Sequence, residues 1–259
     1  MAARHRLQNF AITMVALLVA WPALCCYGQA QSSASPGTHF TPLSLQFTTT
    51  SVSVKAERAS DFLSADPSGW FDLMPRDSLE GWTRVSVPPG KPLDPINQWS
   101  LDKEHGTILC EGNHGHEWLR YGHEYVNILL HVEWRFAKRE GLKGYNSGIF
   151  VRNDLTGRVW HQAQVGAHAY IFGQTLVHGE LTPIIDEMWK HHPADVNPLH
   201  PVGEWNTYEI RCDGPKITLW VNGEFTDEFE ALEVLKGYWG LEAEGFRIEF
   251  RNIKLKQLP

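Results

Sequence analysis

The sequence has little positive charge and no basic cluster. It carries 23 Lys and Arg against 30 Asp and Glu, which gives a net charge of -7 at pH 7. Because nucleic-acid binding depends on Lys and Arg that neutralise phosphates, this composition argues against a nucleic-acid partner. Residues 31–259 also lack a helical hydrophobic period, and Pro and Gly interrupt them throughout. The pattern disfavours a helical fold.

Long apolar runs are absent after the N-terminus, where residues 10–24 form an uncharged apolar stretch. A bilayer span takes about 20 apolar residues, so this stretch is short for a transmembrane helix. Basic residues precede it and small residues follow it, which is typical of a secretory signal peptide over residues 1–30. We expect cleavage after Ala30 and export to the periplasm or the extracellular space. Cys25 and Cys26 leave a lipoprotein anchor open as the alternative.

The remaining chain suits one domain with a large core. Residues 31–66 are rich in Ser, Thr, Ala and Pro and are typical of a flexible spacer. The predicted domain covers residues 67–259. Only Cys110 and Cys212 remain after the expected cleavage. They could form a disulfide in an oxidising compartment if their strands are neighbours, or they could be two separately buried thiols.

Period-two alternation dominates the predicted domain. In residues 126–136 the apolar side chains from Ile128 to Phe136 share one face, which predicts a strand with one buried face. Asn222-Gly223 predicts a type I′ hairpin turn. A phase slip near Arg251-Asn252 predicts a β-bulge. Many such strands with turn signals between them indicate a sandwich or barrel of antiparallel sheets. Residues 178–201 show no period and are expected to form a long loop.

Two strands carry rows of polar side chains. Trp160, Gln162 and Gln164 share one strand face, and Glu242 and Glu244 share another. Residues two apart on a strand are roughly 7 Å apart, a spacing at which two carboxylates can take acid and base roles in sugar chemistry. The alternative is an ordinary solvent-exposed sheet face, where Glu and Gln are common.

Other motifs give weaker signals. Residues 144–148 are not a nucleophile elbow, so Ser147 is expected in a turn from which Asn146 or Ser147 could contact a substrate. No HExxH zinc motif occurs. The histidines that we weighed as metal ligands, with two nearby acids, are His114, His116, His191, His192, His200, Asp186 and Glu187. We predict no cofactor; a bound divalent metal, catalytic or structural, stays open as an alternative that no motif supports.

Several ordered motifs resemble those of the 3-keto-disaccharide hydrolase domain family. They are Glu117-Trp118-Leu119-Arg120, residues 125–135, Asn146-Ser147-Gly148-Ile149-Phe150-Val151-Arg152, Trp160-His161-Gln162-Ala163-Gln164-Val165, Gly203-Glu204-Trp205-Asn206, Val221-Asn222-Gly223 and residues 240–258. The resemblance covers nearly everything from Trp70 onward. It implies a concanavalin A-like jelly roll of two antiparallel sheets, and it implies action on glycosides whose 3-hydroxyl is oxidised to a ketone.

The resemblance and the polar strand faces together suggest roles for particular residues. Elimination from a 3-keto-glycoside needs a base, an acid and a group that stabilises the developing enolate. We assign Glu242 or Glu133 as the base, the other carboxylates including Glu244 as the acid, and Arg152 as the charge stabiliser. The residues expected to hold the sugar are Gln162, Gln164, Trp160, His131, Asn146 and Ser147.

The sequence departs from the family pattern at two places. Where members resemble Tyr-Glu-x-Gln-Ile, this chain has Gln162 in place of the carboxylate. Where they resemble Leu-Gln-x-His-Gly, it has Glu242 and Glu244. A carboxylate from another strand could replace the one that is lost. The change is also compatible with a lectin-like module that binds carbohydrate without catalysis, and a surface or scaffold protein is a third hypothesis.

Overall fold

The computed structural model describes residues 62–184, 198–230 and 232–259. The expected signal peptide and most of the expected spacer lie outside these residues, as do Asp186, Glu187, His191 and His192. Among the described residues, no helix has the length and apolar character that crossing a membrane requires.

The described residues form one helical turn and a series of strands. They are α1 (Phe62–Ala65), β1 (Trp70–Asp72), β2 (Trp82–Ser86), β3 (Trp99–Asp102), β4 (Thr107–Cys110), β5 (Glu117–Tyr121), β6 (Ile128–Phe136), β7 (Asn146–Asn153), β8 (Trp160–Gly166), β9 (Ile171–Val177), β10 (Glu180–Ile184), β11 (Asn206–Asp213), β12 (Lys216–Val221), β13 (Glu224–Phe229), β14 (Tyr238–Ala243) and β15 (Ile248–Gln257).

The strands form two antiparallel sheets. Sheet A has the order β13-β12-β11-β6-β15-β4-β3, and β1 pairs with β15 beside that path. Sheet B has the order β10-β9-β8-β7-β14-β5-β2. The apolar faces of both sheets contribute to one hydrophobic core. This arrangement confirms the predicted all-β class and the concanavalin A-like jelly-roll sandwich.

The core follows from the predicted alternation. On β6, every second side chain from Ile128 to Phe136 is buried, as period-two patterning requires for a strand whose one face meets the other sheet. Tyr208 of β11 also lies in the core, and its hydroxyl donates a 2.6 Å hydrogen bond to the carbonyl of Gln164 in β8. The two sheets are therefore joined by a buried polar contact directly behind the polar row of β8.

The opposite face of β6 is more buried than predicted. Leu129 and His131 are only 7% and 3% exposed, although they point away from the core. The N-terminal residues of the described chain cover this part of sheet A, where Trp70 packs edge-on against His131 with ring centroids 6.4 Å apart. The prediction of a single buried face fails here because the cover comes from residues distant in sequence.

Local backbone predictions are confirmed at two positions. Asn222 and Gly223 have φ values of 50° and 83° in the tight turn between β12 and β13. Positive φ at both central residues is what a type I′ turn needs, and Asn and Gly adopt it at low cost. The pairing of β15 with β6 shifts register between Arg251 and Lys254, and Asn252 has φ 47°. The predicted bulge lies there.

The expected loop over residues 178–201 is partly wrong. Glu180–Ile184 forms β10, which pairs with β9 at the edge of sheet B. Pro183 lies within this strand, and an edge strand tolerates proline because one side of its backbone has no partner strand. The proline-rich composition hid the strand. Residues 185–197 lie outside the described part of the chain.

The two cysteines are separate buried thiols. Cys110 lies in β4 and Cys212 in β11, and β6 and β15 stand between these strands in sheet A. Three strand spacings make roughly 14 Å, whereas a disulfide needs Cα atoms within about 7 Å. Burial raises the pKa of both thiols to about 12. The disulfide alternative is therefore wrong.

Candidate functional site

Sheet B carries the predicted polar rows on its outer face. On β8, Trp160, Gln162 and Gln164 line a cavity, while His161 and Ala163 are buried toward the core. On and after β14, Glu242 and Glu244 line the same cavity. The predicted strand phase is confirmed for both strands, and the fold brings the two rows together.

A missing side chain on β7 lets the two rows touch. Gly148 lies between β8 and β14, and a Cβ atom placed on it would lie 2.2 Å from Nε2 of Gln162. The Gln162 amide uses this space and donates a 2.8 Å hydrogen bond to Oε2 of Glu242. This contact therefore requires a residue without a side chain on the intervening strand β7.

Glu242 is also paired with a histidine. His116, which directly precedes β5, has Nε2 2.7 Å from Oε1 of Glu242. Burial raises the pKa of Glu242 against the opposing hydrogen bond from His116. For His116, burial lowers the pKa, but the hydrogen bond and charge of Glu242 and the charge of Glu244 outweigh it, so the net shift is upward. The pair can therefore hold a proton between the imidazole and the carboxylate.

Glu244 differs from Glu242 in its surroundings. Its side chain makes no hydrogen bond or ion pair with the part of the chain that the structure describes, and it is partly exposed to the cavity. Burial raises the pKa of its carboxyl group, and the charge of His116 opposes the shift. Glu244 is thus a carboxylate with raised proton affinity and an accessible acceptor oxygen.

A row of side-chain amides continues from this cluster. Gln162 Nε2 lies 3.2 Å from Oε1 of Gln164, and Gln164 Nε2 donates to Oδ1 of Asn146. All three residues line the cavity. Asn and Gln amides supply both donors and acceptors, so this row can hold the hydroxyl groups of a polar ligand.

The cavity has a volume of about 460 Å³, which is in the range of small-molecule sites. Its remaining wall is largely apolar. The aromatic residues of that wall are Trp118, Phe150, Trp160, Tyr170 and Phe172, and Val87, Pro88, Pro89, Gly157 and the polar Asn153 complete it. Among the described lining residues there is no Lys or Arg. The negative charge of the two carboxylates is therefore balanced only by a proton on His116 or on a carboxylate, or by a bound cation.

The same cluster has the geometry of a metal-ligand set. One ligand atom from each of His116, Glu242 and Glu244 lies within 4.8 Å of the others. An imidazole with two carboxylates suits a divalent transition metal. Sequence reasoning found no metal motif because the three ligands come from two segments of the chain that meet only in the sheet.

Glu133 and His131 do not reach this site. They lie on the outer face of sheet A, where Glu133 accepts hydrogen bonds from Arg251 at 2.7 Å and Asn252 at 2.8 Å. His131 contacts Glu209 at 3.2 Å. The predicted roles of Glu133 as base and His131 as a sugar ligand are therefore wrong for this cavity. Strand alternation gave both residues a polar face but could not say which sheet they would join.

Arg152 and Ser147 also point elsewhere. Arg152 has φ 53°, which turns its side chain out of the strand phase, and its guanidinium donates to the carbonyls of Gly214 and Val126 at 2.6 and 3.1 Å. Asn153 faces the cavity instead. Ser147 lies inside β7 and not in a turn, and its buried hydroxyl donates to the Glu242 carbonyl at 2.9 Å. The predicted roles of these two residues give way to structural ones.

Sequence reasoning missed His116 as a site residue. In the sequence it is one of several histidines, and no metal motif surrounds it. The only signal that finds it is the pairing of β5 with β14, in which Glu117 lies opposite Ala243 and so places His116 near Glu244. That pairing depends on the tertiary fold.

Comparison with solved structures supports the fold. A protein described as a candidate glycosyl hydrolase, from Parabacteroides distasonis, is 18% identical with a TM-score of 0.50, covering 74% of this chain and 95% of that one. The carbohydrate-binding module CBM66 from Bacillus subtilis is 14% identical with a TM-score of 0.50, covering 68% of this chain and 96% of that one. No curated protein matches the sequence.

The family model gives the identification. It matches residues 69–256, which include all the cavity residues described above and, apart from Gln257 at the end of β15, every strand of the described residues. The chain belongs to the family of 3-keto-alpha-glucoside-1,2-lyase-like domains.

Proposed function

We propose that this protein cleaves the glycosidic bond of 3-keto-glycosides by elimination in the sheet B cavity. The observation that carries the proposal is the convergence of Glu244 and the His116–Glu242 pair beside a row of amides. A proton acceptor, a proton donor and groups for sugar hydroxyls then lie in one cavity of suitable size.

The chemistry follows from the ketone. A carbonyl at C3 acidifies the hydrogen on C2, so a base can remove that proton and leave an enolate between C2 and C3. Collapse of the enolate restores the C3 carbonyl, forms a C1–C2 double bond and breaks the bond from C1 to the glycosidic oxygen. The departing oxygen takes a proton from an acid. Later addition of water across C1 and C2 makes the net reaction a hydrolysis.

Glu244 fits the base. Its carboxylate faces the cavity without a hydrogen-bond partner in the described chain, and burial raises its pKa. A general base works best when its pKa lies nearer the working pH than that of an exposed carboxylate. Glu242 fits this role less well, because both of its oxygens are already bonded, to His116 and to Gln162.

His116 fits the acid, with Glu242 as its positioning residue. The raised pKa of His116 keeps the imidazole protonated over a wider pH range than that of an exposed histidine. The 2.7 Å contact to Glu242 fixes the ring orientation. Gln164 and Asn146 are placed to hold sugar hydroxyls near the reacting carbons.

The Gln162–Glu242 contact accounts for the departure from the family pattern. The carboxylate expected at position 162 is absent, but the carboxylate of Glu242 lies one 2.8 Å hydrogen bond away across Gly148. The negative charge lies on β14 instead of β8, two strands away in sheet B, and still lines the cavity. Loss of the carboxylate at position 162 is therefore compatible with retained catalysis.

The cluster of His116, Glu242 and Glu244 suits proton transfer better than metal binding. Among the described lining residues, His116, Glu242 and Glu244 are the carboxyl and imidazole groups. A metal held by all three would leave no side chain of this kind to remove the C2 proton. We therefore assign the cluster to acid–base chemistry.

The test is turnover of a purified 3-keto-disaccharide, followed by release of the second sugar and by exchange of the C2 hydrogen in D₂O. Glu244→Gln should lower the rate of C2 exchange by about 10²- to 10⁴-fold, the usual contribution of a positioned base. Glu133→Gln on sheet A is the matched control and should keep the wild-type rate. Equal rates for wild type and Glu244→Gln would remove Glu244 from the mechanism.

A second candidate function is carbohydrate binding without cleavage. Gln162, which cannot transfer a proton, is the observation that favours it. The same incubation separates the two functions. A ligand that binds the protein but shows neither C2 exchange nor released sugar would support the binding module and overturn the enzyme.

A further inference from the structure

The cavity is divided along the strand direction into two chemically different ends. On β8 and β7, Gln164 lies opposite Gly148, and the next paired position brings Gln162 beside Phe150. Phe172 of β9 lies on the other side of Gln162. One end therefore holds the amides and the acid–base cluster, and the other end begins at the two phenylalanines.

The second end, which we call the aromatic end, is a continuous set of rings. Its members are Trp118, Phe150, Trp160, Tyr170 and Phe172. Neighbouring rings meet at centroid distances of 5.4 Å for Trp118 and Phe150, 6.1 Å for Phe150 and Trp160, 5.2 Å for Trp160 and Phe172 and 5.3 Å for Tyr170 and Phe172. Most of these contacts are edge-to-face, the geometry that aromatic rings prefer.

The aromatic end has an apolar part formed by Phe150 and Phe172. Asn153 also lines this end, but its Oδ1 already accepts a 2.9 Å hydrogen bond from the backbone N–H of His161. The other polar side-chain atoms there are the ring N–H groups of Trp118 and Trp160 and the hydroxyl of Tyr170, whereas Phe150 and Phe172 offer none. A hydroxyl group that moved from water to a position over Phe150 and Phe172 would lose hydrogen bonds, and each loss weakens binding by roughly tenfold or more.

We propose that the aromatic end is the leaving-group subsite and that it takes an aromatic ring, so that the substrate class is the aryl 3-keto-glycosides. The proposal rests on the proposed function for the direction of the reaction. The ketosugar lies at the amide end with C2 beside Glu244. The ring attached through the glycosidic oxygen then extends over Phe150 and Phe172.

The reaction balances with a phenol as the leaving group. Glu244 takes the C2 proton, the bond between C1 and the aryl oxygen breaks with its electrons on oxygen, and His116 supplies the proton that completes the phenol. Since a phenol is far more acidic than a sugar alcohol, its departure depends less on the proton donor. His116→Gln should therefore reduce turnover of a 3-keto-disaccharide more than turnover of phenyl 3-keto-glucoside.

Binding of unoxidised glycosides tests the subsite without any turnover. We expect phenyl glucoside to bind at least about tenfold more tightly than methyl glucoside or a glucose disaccharide in calorimetric titrations. Phe172→Leu, which removes the ring but keeps an apolar side chain, should remove most of this difference. Phe225→Leu, at an exposed ring on sheet A, is the matched control and should leave it unchanged.

The outcomes separate this proposal from the proposed function. Disaccharide binding as tight as phenyl glucoside binding, or a Phe172→Leu variant with unchanged preference, would overturn the aromatic subsite even if 3-keto-disaccharides are cleaved. Strong phenyl preference that depends on Phe172 would support the subsite even if no 3-keto-glycoside is cleaved, in which case the proposed function fails alone.

Discussion

Two histidine–glutamate pairs lie on opposite outer faces of this sandwich, and their surroundings differ. His116 and Glu242 meet at 2.7 Å on sheet B, and His131 and Glu209 meet at 3.2 Å on sheet A. In both pairs the partner carboxylate helps to raise the pKa of the histidine, and for His131 the value is about 9. The residue types alone do not distinguish the two pairs.

The two pairs differ in whether other residues cover them and in whether nearby charges are neutralised. Trp70 packs on His131, and the backbone N–H of Phe62 donates to Glu209 at 3.1 Å, so the sheet A pair is closed. Arg251 also neutralises the adjacent Glu133 at 2.7 Å. The His116 pair instead opens into a cavity whose described lining has no Lys or Arg. A buried ion pair stabilises the fold when it is covered and compensated, and it becomes available for chemistry when it is neither.

Exchanging each histidine for glutamine tests this contrast most strongly. His116→Gln should lower turnover of a 3-keto-disaccharide by about 10²- to 10⁴-fold, because it removes the proton donor. His131→Gln should leave turnover within about twofold and lower the free energy of unfolding. Steady-state kinetics and denaturant unfolding of both variants measure the two effects. Similar losses of turnover would show that the two faces are not functionally distinct.

Filling the gap on β7 gives the next largest effect. Gly148→Ala places a Cβ where the Gln162 amide lies, so the contact to Glu242 breaks. We expect turnover to fall by about 10²-fold from misplaced groups. Because Gly148 has no positive φ, any loss of unfolding free energy comes from displacing the buried Gln162 side chain and not from backbone strain. The double variant Gly148→Ala with Gln162→Ala should be no slower than Gln162→Ala alone. Additive losses would contradict a shared contact.

The covered His131–Glu209 pair should make the free energy of unfolding depend on pH. The pKa of His131 is about 9 in the fold against an ordinary value of 6.5, so its contribution is complete below pH 6.5 and is lost as the pH rises toward 9. Partial screening makes the expected loss roughly 1–3 kcal/mol. Unfolding free energies at pH 6 and pH 9 measure it. His131→Gln should flatten this slope, and an unchanged slope would show that another group causes it.

Metal chelation should have the smallest effect on turnover, and it tests whether the cluster around the His116–Glu242 pair binds protons or a metal ion. If protons balance the charges of Glu242 and Glu244, dialysis against EDTA should leave turnover within about twofold. Zn²⁺ should inhibit, because His116, Glu242 and Glu244 can close around it. A large loss after EDTA that a divalent metal restores would assign the cluster to metal binding.

Much of the fold could be predicted because its signals are local. Side-chain alternation on β6, β8 and β14 follows from a period of two and was read correctly from the sequence. The Asn222-Gly223 turn and the bulge at Asn252 follow from residues that accept positive φ. β10 was missed because Pro183 is a breaker in a central strand but not at an edge.

The candidate site was only partly predictable because it depends on which strands become neighbours. Glu242, Glu244, Gln162 and Gln164 were placed together correctly, since each row has its own alternation and the two strands join the same sheet. Glu133 has the same pattern, but β6 joins sheet A. Arg152 leaves the cavity through one residue with positive φ, which a regular strand pattern does not show.

The sequence by itself determined most of the strands, the alternation of their side chains and the turn residues, because these depend on neighbours along the chain. Tertiary structure alone decided that His116 meets Glu242, that Gly148 opens the space for Gln162, and that His131 is covered while His116 is exposed to a cavity. The physical reason is that side-chain direction is a local property of a strand, whereas the partner and the solvent that a side chain meets depend on distant segments.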